Sequence, residues 1–304
     1  MKSSRLFTHI CLFTGMALFG SATPVSKLVT GAFPIFIGST LRAVTATLAL
    51  LPIVMLWPRQ RREIMPGIRK RWVSLSFIVL FGMVGFTVAM MYGMRLVSGV
   101  VGSVVMSTTP AVTAVGAILF LREKPEWRVL TAVGLAVVGV LVLNLGNSGD
   151  TSEGWWFGAL LVLTAVCCEA VYTLLGKQAT KEMSSLAVAA LVATASLPLF
   201  AVGAATEVAN FTLSNPAWQD WLAVAWWGAG TMGLGTVLWY AGVKRSKGST
   251  AAAYMGVMPV SALVLSYVLL GEPFRWLHLL GFAIVLGGVG LVAWKHFGHE
   301  KHGD

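Results

Sequence analysis

The chain has 304 residues, of which 57% are hydrophobic and 11% charged, with a mean hydropathy of +0.79. A soluble domain carries about 25% charged residues, so this chain cannot cover a water-exposed globule and its solvent is lipid. Its net charge of +10 would suggest nucleic acid only if the basic residues formed one soluble patch; they are scattered between apolar runs, so they are read as topology signals, with the lipid bilayer as the expected partner and no nucleic acid.

Apolar runs fall at 6–28, 35–57, 73–95, 99–121, 127–146, 155–176, 184–207, 220–242, 248–270 and 275–296. Each is close to the ~20 residues that cross a bilayer as a helix. Backbone groups in lipid must bond within their own segment, and no run alternates in polarity. The expected fold is an all-α integral membrane protein of ten transmembrane helices. The opening "MKSSRLFTHICLFTGMALFGSA" has the basic start and small residues of a signal peptide, but it has a counterpart later in the chain, so it is expected to be an uncleaved first span. Span one carries Ser21, Thr23 and Pro24; span two carries Arg42; span three carries Met90, Met91 and Tyr92. The run Arg59 to Arg71, "RQRREIMPGIRKR", connects spans two and three. Span four contains "STTP", Ser107 to Pro110, and is followed by the hairpin "REKPEW" with Glu123. Span six holds Glu169 and Tyr172 in "AVCCEAVYTLLG"; span eight holds "GAGTMG" and then Trp239 and Tyr240; span nine holds Tyr254, Met255 and Pro259.

With the N-terminus inside, 18 Lys and Arg residues fall on the inner side and only Lys27, Arg95 and Arg275 on the outer side. By the positive-inside rule, both termini are expected in the cytoplasm and the protein in the inner (plasma) membrane.

Sliding the chain by 149 residues aligns Gly99 with Gly248, Met106 with Met255, Pro110 with Pro259, Glu123 with Glu272, Trp127 with Trp276 and Gly139 with Gly288; a shift of 150 aligns Phe7 with Phe157, Thr23 with Thr173 and Lys27 with Lys177. The shared register divides the chain into repeats 1–147 and 154–297, joined by "NSGDTSE". Five spans per repeat is an odd number, so the second repeat is expected to enter the membrane upside down. Inverted-topology repeats mark secondary transporters that bind substrate between the halves near the midplane.

The two stretches "YGMRLVSGVVGSVVMSTTPAVTAVGAILFLREKPEW" and "YAGVKRSKGSTAAAYMGVMPVSALVLSYVLLGEPFRW", with the glycine-rich span after each and the Arg-x-x-x-Ala of Arg42 and Ala46, resemble the EamA-type halves of the drug/metabolite transporter superfamily. The resemblance covers nearly the whole chain and looks closest to aromatic amino-acid exporters of the YddG type. It implies a ten-helix inner-membrane exporter of small metabolites, often amino acids.

Several residues could carry transport. Glu169 is the only acidic residue well inside a span; a carboxylate there faces a cavity or a partner. It could hold a substrate ammonium, or a proton, since a dehydrated carboxyl favours its neutral form, giving possible proton coupling; a satisfied interhelical hydrogen bond is the other reading. Arg42 could meet a substrate carboxylate, though snorkelling outward or bracing a neighbouring helix is the ordinary fate of such a residue. Pro110 and Pro259 each free a carbonyl and kink a span, which marks them as cavity-lining, with Thr108 and Thr109 placed to satisfy freed carbonyls or touch substrate. Ser21 beside Pro24 is a similar candidate. Tyr172, Trp239, Tyr240, Tyr254, Met91 and Met255 could line an apolar, aromatic-accepting site. Glu123 and Glu272 each precede a span, with a proline close behind, and read as caps of the helix that follows. "GAGTMG" fits the spacing of a dinucleotide loop but lacks its strand and acidic residue; its small residues let helices approach. "NFT" at Asn210 is formally a glycosylation acceptor without a secretory context. Cys11, Cys167 and Cys168 lie in apolar runs and suggest neither disulfides nor zinc. No cofactor is expected, and no P-loop is present, so energy would come from a gradient. No nucleophile–base pair or His/Asp/Glu cluster within the spans suggests an enzyme. The leading reading is an amino-acid exporter; the alternatives are a multidrug or lipophilic-cation exporter and a passive channel.

Overall fold

A computed structural model describes residues 2–109, 111–113, 115, 116, 127, 131, 134, 135, 138, 154–209, 216–246, 254–284, 286 and 287. Among them every regular element is helical. Helix α1 spans Lys2–Ala32 and α2 spans Ile35–Leu56. Helix α3, Pro58–Phe77, runs into a π-helical segment, Ile78–Gly85, and then α4, Phe86–Leu96. Helix α5 is Gly99–Met106. After it come α6, Trp155–Ala179, and α7, Ser185–Val208. Helix α8, Trp218–Ala225, leads through a second π-helical segment, Trp226–Gly235, into α9, Thr236–Arg245. Helix α10 is Val257–Leu270, and residues 276–284 are helical again.

Among the described residues, five continuous helices are long and apolar enough to cross a membrane: Leu6–Ala32, Ile35–Leu56, Pro58–Leu96, Trp155–Ala179 and Ser185–Val208. The expected fifth span, the "NSGDTSE" junction, Pro110, Glu123 and Asn210 lie outside the described residues or rest there on isolated positions. The basic run after span two differs from expectation: it is helical from Pro58 onward. Proline at the first helical position presets the backbone, and the Gln, Arg, Glu and Met that follow are good helix formers. The non-helical backbone of Arg71 (φ −127°, ψ 21°) kinks this polar helix before it becomes the third apolar run.

The two π-helical segments sit in corresponding spans, 78–85 and 226–235, and overlap under the 149-residue shift. Packing across the halves is reciprocal. Helix α2 lies on α7, its repeat counterpart, while α1 lies on α10 and its counterpart α6 lies on α4 and α5. The apolar interior joins Met16, Met90, Met94, Val105 and Met106 to Val162, Val166, Val188, Phe200, Met232, Trp239 and Met258.

Several buried hydroxyls are satisfied within their own helices: Ser26 donates to Thr23 O, Ser39 to Ile35 O and Ser196 to Ala193 O. The same applies around "STTP". Thr108 donates to Val105 O and Thr109 to Met106 O, each at 2.7 Å. Met106 O is the carbonyl four residues before Pro110, to which a proline has no N–H to give.

Carboxylates cap helices from a distance. Glu207 Oε2 accepts from Phe36 N at 2.9 Å and Ile37 N at 3.0 Å, at the start of α2. Glu63 accepts from Ser184 N at 2.9 Å. Glu272 was expected to cap the helix that follows it. Instead its two oxygens accept from Gly99 N at 2.5 Å and Val100 N at 2.9 Å, at the start of α5 in the other half. Gly271, in the left-handed region (φ 61°), ends α10 and turns the chain so that the carboxylate meets α5 instead of its own successor. Beside this latch, Ser103 Oγ and Ser266 Oγ lie 3.2 Å apart, and Val100, Val104, Leu263 and Phe282 pack together. At this end α5 and α10 are closed on each other.

Candidate functional site

A chamber lies between the halves, lined by Phe19 and Ala22 of α1, Arg42 of α2, Gly82 and Met83 of the first π segment, Phe86, Met106, Glu169 and Tyr172 of α6, Thr231 and Met232 of the second π segment, Thr236 and Met258. Its volume is about 40 Å³, room for a water or two and not for a metabolite. At the end of the molecule bearing Lys27, Ser98, Asp220, Glu272, Arg275 and His278 lies a vestibule of about 840 Å³. At the opposite end, a hollow of about 350 Å³ is lined by Arg59, Glu63, Lys181, Ser184 and Lys244.

Arg42 is 5% exposed and does not snorkel. Its guanidinium lies 4.3 Å from the centre of the Trp227 ring, a cation–π stack, and Nη1 donates to Thr87 Oγ1 at 2.6 Å. Nε is buried and has no hydrogen-bond partner among the described residues. Glycine at position 228 makes this possible: a Cβ there would fall on Thr45 Oγ1 and Arg42 O, so the second π segment can touch the backbone of α2 only without a side chain. That is the purpose served by the first glycine of "GAGTMG".

Glu169 is 9% exposed, and among the described residues its hydrogen-bond partner is Thr109, whose hydroxyl stands 3.5 Å from Oε2, at the outer limit of a hydrogen bond. No ion pair joins Glu169 and Arg42 among the described residues. The chamber thus presents a carboxyl group and a guanidinium that do not pair with each other directly. Tyr172 completes the wall. Its hydroxyl donates to Thr236 Oγ1 at 2.6 Å, Tyr240 stacks on it at 5.4 Å, and Phe19 meets it edge-on at 6.5 Å.

The expected site residues divide into three groups. Arg42, Glu169 and Tyr172 line the chamber, and Thr109 touches it through Glu169. Tyr240 backs Tyr172 and donates to its carbonyl at 3.1 Å. The rest lie elsewhere. Thr108 is turned onto its own helix. Met91 packs with Trp227 in a separate cluster, while Trp239 and Met255 belong to the core. Pro259 is buried beside Met258. Ser21 accepts from Trp226 Nε1 at 2.9 Å. Tyr254 pairs with His9 at 3.0 Å, far along α1. Phe19, Phe86, Met83, Met106, Met232, Met258, Thr231 and Thr236 were not anticipated. One signal could have found some of them: Gly82 and Thr231, and Met83 and Met232, are related by the same 149-residue shift as the halves.

A family model described as "EamA-like transporter family" matches the chain twice, over residues 6–145 and 156–294. The chain is 32% identical to an uncharacterized transporter, YetK, of Bacillus subtilis (strain 168), over 95% of this chain and 87% of that one. It is 26% identical to a probable terminal-alkyne amino-acid exporter of Streptantibioticus cattleyicolor, covering 77% and 79% of the two chains. It is 28% identical to an S-adenosylmethionine/S-adenosylhomocysteine transporter of Chlamydia trachomatis serovar L2, covering 86% and 82%. A solved crystal structure shares its fold with a TM-score of 0.66 at 18% identity, covering 94% of this chain and 96% of that one.

Proposed function

The chain belongs to the EamA-like transporter family, and on that premise we propose that it is a secondary transporter exporting amino acids or closely similar zwitterions across the inner membrane by alternating access. In this reading ten helices form two inverted five-helix repeats with both termini cytoplasmic, and rocking of one repeat against the other opens the chamber to each side in turn. The observation that carries it is the pairing of Glu169 and Arg42 in one buried chamber without an ion pair between them. Each charge is costly in a membrane interior, and a zwitterion would satisfy both, its ammonium at Glu169 and its carboxylate at Arg42. The methionines and aromatic rings around them suit an apolar side chain, aromatic ones included. The names of two relatives point the same way: an amino-acid exporter, and a transporter of S-adenosylmethionine and S-adenosylhomocysteine, which are amino acids in chemical terms. A lipophilic cation would suit Glu169 and the rings, but it would have to sit beside the guanidinium. Proton coupling is assigned to Glu169, which would release a proton as it takes the ammonium.

The test is flux in proteoliposomes of L-phenylalanine, L-leucine, L-methionine, phenethylamine and tetraphenylphosphonium, with and without a proton gradient. We expect saturable amino-acid counterflow, driven faster by the gradient. Glu169→Gln should cut it at least tenfold, equivalent to ~1.4 kcal/mol of lost binding, and remove the response to the gradient. Unsaturable flux would indicate a channel, and flux of tetraphenylphosphonium alone would transfer the protein to the multidrug class.

A further inference from the structure

Thr87 and Thr236 are 149 residues apart in the chain, the interval that relates the two halves. Each lies just beyond a π-helical segment, Ile78–Gly85 or Trp226–Gly235, and each is buried. Each hydroxyl accepts a 2.6 Å hydrogen bond from a chamber side chain on another helix: Arg42 Nη1 donates to Thr87, and Tyr172 OH donates to Thr236. Helix formation does not call for threonine at either place; the residue is a middling helix former. The repeat therefore places the same acceptor at both mirror positions, while the donors it receives are chemically different.

The two bonds have different geometric consequences. The guanidinium carbon of Arg42 lies 4.3 Å from the centre of the Trp227 ring, which holds the group over that face but leaves its rotation there free. The bond to Thr87 sets the rotation. A guanidinium carries its five N–H groups in a fixed fork, so once position and rotation are set, the remaining edge has one direction. That edge includes Nε, which is buried and has no hydrogen-bond partner among the described residues. On the other side, the bond to Thr236 occupies the Tyr172 hydroxyl. What Tyr172 then offers the chamber is its ring, supported by Tyr240 stacked at 5.4 Å.

We infer that Thr87 and Thr236 are a repeat-related pair of positioning residues, Thr87 aiming the guanidinium at the carboxylate of the substrate and Thr236 presenting the tyrosine ring to its side chain. The inference rests on reading the chamber as a zwitterion site. It predicts that the pair divides specificity: carboxylate recognition depends on Thr87 and side-chain recognition on Thr236.

The test compares L-phenylalanine with phenethylamine, which keeps the ring and the ammonium and lacks the carboxylate, in proteoliposomes of the full chain. Thr87→Val is nearly isosteric and removes the acceptor. It should raise KM for phenylalanine at least tenfold more than for phenethylamine, about the value of a hydrogen bond to a charged group, and Thr87→Ser should restore the wild-type ratio. Thr236→Val should raise KM for both compounds alike, because both carry the ring. Equal effects of Thr87→Val on the two compounds, or loss of Vmax without change in KM, would overturn the assignment. If the wild-type protein moves neither compound, the amino-acid reading falls by itself, and melting temperatures in detergent then decide the positioning. Thr87→Val with Arg42→Gln, and Thr236→Val with Tyr172→Phe, should be non-additive as double variants; additive losses in both cycles would overturn it.

Discussion

Replacing Glu272 by alanine removes both acceptors that hold the first two N–H groups of α5, Gly99 N at 2.5 Å and Val100 N at 2.9 Å. Ser98 Oγ still caps Val101 N at 3.2 Å, so the helix keeps one cap. Loss of a capping side chain costs about 0.5–2 kcal/mol, and loss of its charge at the positive end of a helix about 0.3–1 kcal/mol. Water enters the half-buried site and recovers part of this, so ~2 kcal/mol is a fair total, or about 30-fold in the balance between the latched and unlatched arrangements. The carboxylate comes from the second half and the helix from the first, so on the proposed alternating-access reading the balance is one between conformations of the transporter. A cysteine at Ala22, a buried chamber residue, reports it in a background where Cys11, Cys167 and Cys168 are replaced by alanine. A membrane-impermeant thiol reagent added on the face bearing Glu272 should modify Ala22→Cys up to about 30-fold faster when Glu272→Ala is also present, with Glu272→Gln intermediate. A lowered melting temperature with an unchanged modification rate would refute the reasoning: Glu272 would then only stabilise a helix end and would not hold the two halves together.

Gly228→Ala should lower the melting temperature by several degrees and raise KM for any carboxylate substrate, because its Cβ would fall on Arg42 O and Thr45 Oγ1, an overpacking cost of about 1–3 kcal/mol. Gly233→Ala, five residues on in the same motif, meets nothing closer than 3.5 Å and should be near neutral; equal behaviour of the two variants in a thermal melt would contradict the contact. At the basic end of the molecule, the Lys70 ammonium, at 2.9 Å from Glu182 Oε2, holds that carboxyl below the usual carboxylate range. A lowered folded-state pKa contributes stability above the unfolded value and loses it as pH falls through the folded one. Glu182→Gln should therefore lower the melting temperature slightly at neutral pH, since an exposed pair is weak, and the difference should vanish on acidification; a gap that widens below pH 5 would reverse the assignment.

Much of the architecture was legible because lipid imposes a simple rule on the chain. Apolar runs of span length must be helices, and α1, α2, α6 and α7 lie close to where the runs were read. Glu169 stood out for the same reason, as the lone acid in an apolar run. The polar helix from Pro58 was missed because hydropathy registers what leaves water, not what curls along its surface. The π-helical segments were missed because nothing in "IVLFGMVG" or "WWGAGTMGLG" distinguishes a wide turn from an ordinary one; the winding depends on what packs against it. Of the candidate aromatics, Tyr172 lines the chamber and Tyr240 backs it, while Trp239 packs in the core and Tyr254 meets His9, because periodicity locates a residue on a helix but does not say whether that side meets a cavity, the core or lipid.

Composition was enough to give the lipid solvent and the helices α1, α2, α6 and α7, and comparing the chain with itself gave the 149-residue register. Which of those residues meet depends on tertiary packing. Arg42 turns inward because Trp227 and Thr87, from two other helices, give a buried guanidinium the contacts it would otherwise seek in water. Glu272 reaches α5 because a left-handed glycine redirects the chain between them. Hydrogen bonds and stacking act over a few ångströms, and residues 45 to 185 positions apart along the chain come within that range only once the helices are packed.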